Sequence, residues 1–142
     1  MKNNISIEES TREEQLEIDD RIIEYNNRKV PFTQPHAFIP VNRVIKSENG
    51  EIIAGVNSVL YGWNCLYIDV LWVKEEFRSK GYGSILLNEV EKVAQEYGCD
   101  LIHLDTFDFQ AKTFYIKHGY TVFGVLEDCP DRHKRYYMTK NI

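Results

Sequence analysis

The sequence predicts a mixed α/β (α+β) fold: a largely antiparallel central sheet of about seven strands flanked by helices. Three observations carry this expectation. Between Ala37 and Val73, strand-like runs rich in β-branched and aromatic residues follow one another with only short turns between them, which makes antiparallel neighbours. From Tyr82 the apolar spacing changes to a helical period. After a second, shorter helical pattern, two more strand-like runs close the chain. The order is strand, helix, three strands, helix, strand, helix, two strands, which is not the regular alternation of a doubly wound sheet.

The elements follow in order. Ile5 to Ser10 (ISIEES) reads as a strand. Ser10 or Thr11 can cap a helix with Glu13 and Glu14 in its first turn. Leu16, Ile18, Ile22, Ile23 and Tyr25 give that helix an apolar face. Pro31, Pro35 and Pro40 break the chain into a loop-rich stretch. Ala37 to Lys46 is a strand, turned at Glu48-Asn49-Gly50, where Asn-Gly is a strong hairpin signal. Glu51 to Tyr61 and Cys65 to Val73 are joined through Gly62-Trp63-Asn64. Leu86, Val90, Val93 and Tyr97 mark one helix face, and Gly98 sits where a helix is capped. Leu101 to Phe107 is a strand, Gln110 to Lys117 a short helix, and Tyr120 to Leu126 and Lys134 to Thr139 the last strands.

At 142 residues the chain suits a single domain, residues 1–142, with a real core. No apolar run approaches the roughly 20 residues a membrane span needs, and MKNNISIEES lacks a signal-peptide core, so a cytoplasmic protein is expected. A net charge of −5 speaks against non-specific nucleic-acid binding. The three cysteines, Cys65, Cys99 and Cys129, are odd in number with no Cys-x-x-Cys pair. That argues against a disulfide framework and a cysteine-rich zinc site, and no His-Cys-carboxylate spacing suggests any other metal.

The chemistry sits in the turn Val73-Lys74-Glu75-Glu76-Phe77-Arg78-Ser79-Lys80-Gly81-Tyr82-Gly83-Ser84, between a strand and a helix. Glycines at a helix start let a ligand approach the backbone, and the free N–H groups and positive dipole end suit a pyrophosphate. Arg78 and Lys80 add charge. Gly-x-Gly alone is equally consistent with a tightly packed strand-to-helix turn. A dinucleotide fingerprint would need a third glycine where Leu86 stands, although Asp105 lies about where an acidic ribose ligand would be expected. A P-loop needs its lysine after the glycines, and here Lys80 precedes them.

Arg78-x-x-Gly81-x-Gly83 instead resembles the coenzyme A loop of the GNAT superfamily of N-acetyltransferases. Ala111-Lys112-Thr113-Phe114-Tyr115-Ile116-Lys117-His118-Gly119-Tyr120 resembles that family's Ala-x-x-Phe/Leu-Tyr-x-x-x-Gly-Phe/Tyr signature. Two motifs in the right order, joined by the right helix and strand, are more specific than either alone. The resemblance covers roughly the last two-thirds of the chain and is closest to small single-domain bacterial members. It implies the GNAT acyl-CoA fold and acetyl-CoA as co-substrate, with no metal. It also implies that backbone around Leu71, Trp72 and Val73 pairs with the pantetheine arm like an added strand, and that amides of Arg78, Ser79, Lys80, Gly81, Tyr82, Gly83 and Ser84 receive the pyrophosphate. Three residues before Ala111, where family members often carry a coenzyme-binding asparagine, this chain has Asp108.

Acetyl transfer needs a held thioester, a polarised carbonyl, a neutral amine and a proton for the leaving thiolate. Tyr115 matches the family's tyrosine near the coenzyme sulfur, and a phenol can protonate a thiolate at neutral pH. Asp69 is a carboxylate inside the apolar strand Tyr67 to Val73, on the same side as Tyr67 and Leu71 by strand alternation. It is either a half-buried general base or an acid facing solvent. Asp105, Asp108 and Glu127 could hold a cationic amine electrostatically. His103, His118 and His133 are weaker candidates.

The activity expected from the resemblance is transfer of acetyl from acetyl-CoA to a primary amine of a small molecule or peptide, by direct attack in a ternary complex. The alternative is a non-catalytic acyl-CoA-binding module of the same fold. The resemblance also implies that the N-terminal helical region and the last hairpin, here roughly Ile18 to His36 and Glu127 to Arg135, shape the acceptor site. They mix aromatics with charges of both signs and do not name a ligand. By analogy with the family, exposed strand edges near the C-terminus make a homodimer plausible. Neither nucleic acid nor membrane is expected as a partner.

Overall fold

The computed structural model describes residues 4–142. The chain divides into two units, one ending at Phe32 and one running from Thr33 to Ile142.

In the first unit, α1 spans Arg12–Lys29. Thr11 caps it: the Glu14 N–H donates to Thr11 Oγ1 at 3.2 Å, and the Thr11 N–H to Glu14 Oε1 at 2.9 Å. Two orphan donors of the first turn are thereby satisfied. Arg28 and Lys29 lie in the last turn, where positive charge complements the dipole. The strand expected over Ile5 to Ser10 is not there. Those residues have no regular structure, and Ile5 and Ile7 are 85% and 100% exposed. Alternation over a few residues specifies a strand only where a neighbour takes up the backbone groups.

The second unit holds a seven-stranded sheet. Its strands are β1 (Phe38–Pro40), β2 (Arg43–Lys46), β3 (Ile52–Tyr61), β4 (Cys65–Val73), β5 (Leu101–Phe107), β6 (Thr121–Glu127) and β7 (Lys134–Asn141). The count of seven survives the loss of the N-terminal strand because Ala37 to Lys46 is two strands rather than one. Pro40 lacks an N–H for a ladder and ends β1, and buried Val41 with Asn42 makes the break. There the Val41 N–H donates to Ser58 O at 2.8 Å and the Ser58 N–H to Asn42 Oδ1 at 3.0 Å.

The sheet order is β1-β3-β4-β5-β7-β6, with β2 also paired to β3. All pairings are antiparallel except β4 with β5, which are parallel. A parallel pair needs a crossover, and α2 (Tyr82–Glu96) supplies it. Helix α2 lies over β3 and β4 and buries Leu86, Leu87, Val90, Glu91 and Ala94. The four apolar ones join Leu60, Leu66, Ile68, Ile102, Leu104 and Met138 in the core. At the helix end Gly98 takes φ +73°, and the Cys99 N–H reaches back to Ala94 O at 2.9 Å. That is the glycine-capped ending the sequence predicts.

Two irregularities position the site. First, β4 and β5 pair only from Cys65↔Leu101 to Ile68↔Leu104. Beyond that point β4 keeps β3 as its neighbour and β5 keeps β7, so the sheet splits between them. Second, β4 carries a bulge. Asn57 pairs with Val70 while Ser58 pairs with Ile68, so Asp69 is the extra residue. A bulge resets side-chain alternation. Leu66 and Ile68 face the core before it, and Leu71 and Val73 pack against the core after it. Asp69 therefore does not share a side with Leu71, as unbroken alternation would require.

Candidate active site

The split between β4 and β5 opens into a cavity of about 420 Å³. Its β4 wall is Leu71, Trp72 and Val73; the turn and α2 add Arg78 and Gly83. Asp105 and Thr106 come from β5, and Phe109, Gln110 and Ala111 from the loop after it. Phe114 and Tyr115, on the short helix α3 (Lys112–Lys117), complete the lining. Six of the residues singled out from the sequence as catalytic or coenzyme-binding thus meet in one place. Ser79, Lys80, Gly81, Tyr82, Ser84 and Asp69 are not among the lining residues.

The turn is held from several directions. The Arg78 Nε–H donates to Val73 O at 3.1 Å, which ties the guanidinium to the last carbonyl of β4. Ser79 and Gly81 have φ +63° and +87°. Turns of this kind gather amides into an anion-binding concavity, and Gly81 leads directly into the first turn of α2. The Lys80 ammonium lies 5.4 Å from the Phe77 ring centre, and Phe77 rests on Tyr82. Ser84 Oγ is 2.9 Å from His118 Nε2 at the end of α3. Gly83 has a packing reason to lack a side chain: a Cβ there would stand 3.3 Å from Phe114 Cζ.

Tyr115 is 6% exposed. Its ring meets Phe114 and Tyr120 edge-on, at centroid distances of 5.2 and 5.7 Å. Burial, reinforced by the charge of Asp105, pushes its hydroxyl up to about 12. The resting phenol therefore keeps its proton throughout the neutral range and is available there as a donor.

Asp105 is shared by two partners. Arg135 Nε and Nη2 donate to its Oδ1 at 3.0 and 2.6 Å, and the Tyr67 hydroxyl donates to its Oδ2 at 2.9 Å. The guanidinium also sits 5.3 Å from the Phe107 ring centre and 5.6 Å from that of Tyr137. Burial and then Asp105 push the Tyr67 hydroxyl up to about 12. His103 lies beside Tyr67 with its Nε2 2.7 Å from the Tyr61 hydroxyl, and burial holds its imidazole below the ordinary value against the pull of Asp105. The loop after β5 is fixed by Gln110, whose Oε1 accepts the Phe107 N–H at 2.8 Å.

Asp69 is exposed at the bulge and keeps its water. Of the two alternatives open in the sequence, half-buried or facing solvent, the structure has the second. Asp108 gives both carboxylate oxygens to the chain's own turn: Oδ1 to His133 Nδ1 and Oδ2 to the Lys134 N–H, each at 2.9 Å. Thr106, Phe109 and Gln110 line the cavity without having been singled out. They sit between the two motifs, and only the split of the strands brings them to the site.

Residues 4–120 match the model of the acetyltransferase (GNAT) family. The chain belongs to the GNAT family of acetyltransferases. This GNAT acetyltransferase is similar to a crystallised acetyltransferase from Bacillus cereus ATCC 14579, with a TM-score of 0.87 and 44% identity, covering 97% of this chain and 98% of that one. It is also similar to the blasticidin-S acetyltransferase of Streptomyces morookaense, 32% identical over 96 residues, which are 67% of this chain and 70% of that protein. At 20% identity it shares the fold of a streptothricin acetyltransferase-type structure from Bacillus anthracis str. Ames in complex with acetyl coenzyme A. That match has a TM-score of 0.65 and covers 78% of this chain and 65% of the other. As an N-acetyltransferase with a mixed, mostly antiparallel seven-stranded sheet, the chain has the fold and the enzyme class that its two motifs predict.

Proposed function

We propose that this enzyme transfers the acetyl group of acetyl-CoA to a primary amine of a small molecule or peptide, by direct attack within a ternary complex. One observation carries the proposal: among the described residues the β4 edge from Asp69 to Val73 has no strand partner on the β5 side, and its Leu71 to Val73 stretch lines a cavity that Tyr115 also lines. A pantetheine arm can add to that edge as a strand would, through backbone hydrogen bonds. The pyrophosphate then meets the turn from Arg78 to Ser84, where the amides after Arg78 and the α2 dipole favour an anion; the Arg78 amide itself donates to Glu75 O. A backbone N–H of the open edge is available to the thioester oxygen as charge develops on it. Tyr115 donates its proton to the departing sulfur. A related structure of the same fold holds acetyl coenzyme A, and a relative acetylates blasticidin S, which makes amine-bearing antibiotics the first acceptors to try.

The enzyme is further proposed to work as a homodimer. Strand β6 lies at the end of the sheet order, and it exposes Val122, Phe123, Val125 and Leu126. A long apolar edge invites pairing.

The test is release of free thiol from acetyl-CoA with an amine panel: blasticidin S, streptothricin, aminoglycosides, polyamines and peptide N-termini. Turnover with at least one of these is expected. Tight coenzyme binding with no turnover on any would favour a non-catalytic acyl-CoA-binding module instead.

A further inference from the structure

Acetyl transfer at neutral pH needs a group that removes a proton from the acceptor ammonium, and the cavity itself offers none that is free. Tyr115 holds its proton, and Asp105 is occupied by Arg135 and Tyr67. We propose that His133, oriented by Asp108, is that base; the proposal rests on the acetyl-transfer function stated above.

The geometry is that of an oriented imidazole. Asp108 Oδ1 lies 2.9 Å from His133 Nδ1. An ionised carboxylate only accepts hydrogen bonds, so Nδ1 carries the hydrogen, and in the neutral ring the lone pair is then on Nε2. Such an arrangement fixes the tautomer and the ring direction. Burial pushes the Asp108 carboxyl up, but the Lys134 amide and the His133 ring outweigh this and hold it below the usual carboxylate value. Asp108 is therefore ionised when the imidazole is in use. The His133 backbone is held as well: its N–H donates to Pro130 O at 2.8 Å and its carbonyl accepts the Cys129 N–H at 3.0 Å.

The pair stands next to the cavity lining, against the ring of Phe109. The His133 ring meets Phe109 edge-on at 5.2 Å, and Phe109 lines the cavity and stacks on Phe107. Two residues on, Arg135 holds Asp105 in the cavity wall. The other charged groups around His133 have nearer neighbours of their own. Arg132 lies near Asp131, Lys134 near Glu127, and Arg135 on Asp105. Asp128 Oδ1 takes the Arg132 N–H. No hydrogen bond is made by Nε2 among the described residues, and with 47% of the side chain exposed it can pass its proton to water.

The protons balance. The acceptor R–NH3⁺ gives one proton to His133 Nε2, and the imidazolium releases it to solvent. The resulting R–NH2 attacks the thioester carbon. As the tetrahedral intermediate collapses, the C–S bond breaks and the sulfur takes the Tyr115 proton. The nitrogen, still carrying one proton too many, returns it to the Tyr115 phenolate directly or through water. The products are the amide, free coenzyme A thiol and one proton in solution.

The test compares wild type, His133→Gln and Asp108→Asn with an acceptor from the amine panel, from pH 6 to above the acceptor's own pKa. At neutral pH, His133→Gln is expected to lower kcat/KM for the amine by about 10²-fold or more. Asp108→Asn should cause a smaller loss in the same direction. Stabilisation by acetyl-CoA should be unchanged in both. The deficit should shrink as pH rises and the amine loses its proton unaided, and added imidazole should restore part of the rate to His133→Gln. A deficit that is the same at every pH would mean a structural or binding role and would overturn the proposal, as would wild-type rates in His133→Gln. If wild type itself turns over no amine, the acetyl-transfer function fails first and this assignment goes with it.

Discussion

Replacing Tyr115 with phenylalanine is expected to lower kcat by about 10²- to 10⁴-fold and leave acetyl-CoA binding intact. The substitution removes one oxygen from a ring whose packing on Phe114 and Tyr120 is otherwise unchanged. Folding should therefore survive it. What goes is the proton at the point where sulfur becomes a leaving group. Because the hydroxyl is held at about 12, its ionisation lies far above the assay range. Tyr115 is the protonated, active form below that value and is lost only as pH rises through it. The wild-type rate should thus show no alkaline fall near neutrality from this residue, and the variant's deficit should be flat with pH across that range. The measurement is steady-state thiol release, with coenzyme affinity followed separately by calorimetry. A Tyr115→Phe enzyme with wild-type kcat would refute the acid assignment.

A second large effect is expected at Gly83. Valine there would place a Cβ 3.3 Å from Phe114 Cζ and 3.8 Å from Val73 Cγ2. The added methyls would extend into a space bounded by the end of β4 and by α3. The protein can shift Phe114, at a cost of about 1–3 kcal/mol for overpacking, but Phe114 also lines the cavity. Either response changes the space in which the proposed coenzyme site would hold the pantetheine next to the pyrophosphate. A fall in acetyl-CoA affinity of about 100-fold, close to 2.8 kcal/mol, is expected. Calorimetric titration reads it, and a urea midpoint separates it from lost stability. An unchanged dissociation constant would show that the coenzyme does not pass Gly83.

Much of this was legible in the residues, and the parts that were not share one cause. The Thr11 cap, the Gly98 ending and the Asn49-Gly50 hairpin depend on neighbours a few residues away, and sequence shows such neighbours directly. The turn with Arg78, Gly81 and Gly83 and the segment around Tyr115 are local motifs of the same kind. What depends on distant partners stayed hidden. The strand expected at Ile5 to Ser10 had the right alternation and no strand to join. The parting of β4 from β5 after Ile68 leaves no mark in the composition of either strand, yet it makes the cavity. The bulge at Asp69 reverses which side chains of β4 face the core, so alternation counted from Tyr67 misplaces Leu71. Asp108 and His133, 25 residues apart, become a pair only because the turn after β6 returns beside the end of β5. The cavity brings residues of both motifs together: Arg78 and Gly83 of one and Tyr115 of the other line it with the end of β4.

The central claim is that the open β4 edge and the turn from Arg78 to Ser84 form a coenzyme A site. The most direct measurement is thermal unfolding of the wild-type protein with acetyl-CoA, coenzyme A, NAD and ATP in parallel. Saturable stabilisation by both coenzyme A ligands is expected, about 2.7 kcal/mol when the ligand stands at 100 times its dissociation constant, with little or none from NAD or ATP. No stabilisation by either coenzyme A ligand, or stabilisation by NAD alone, would contradict the account.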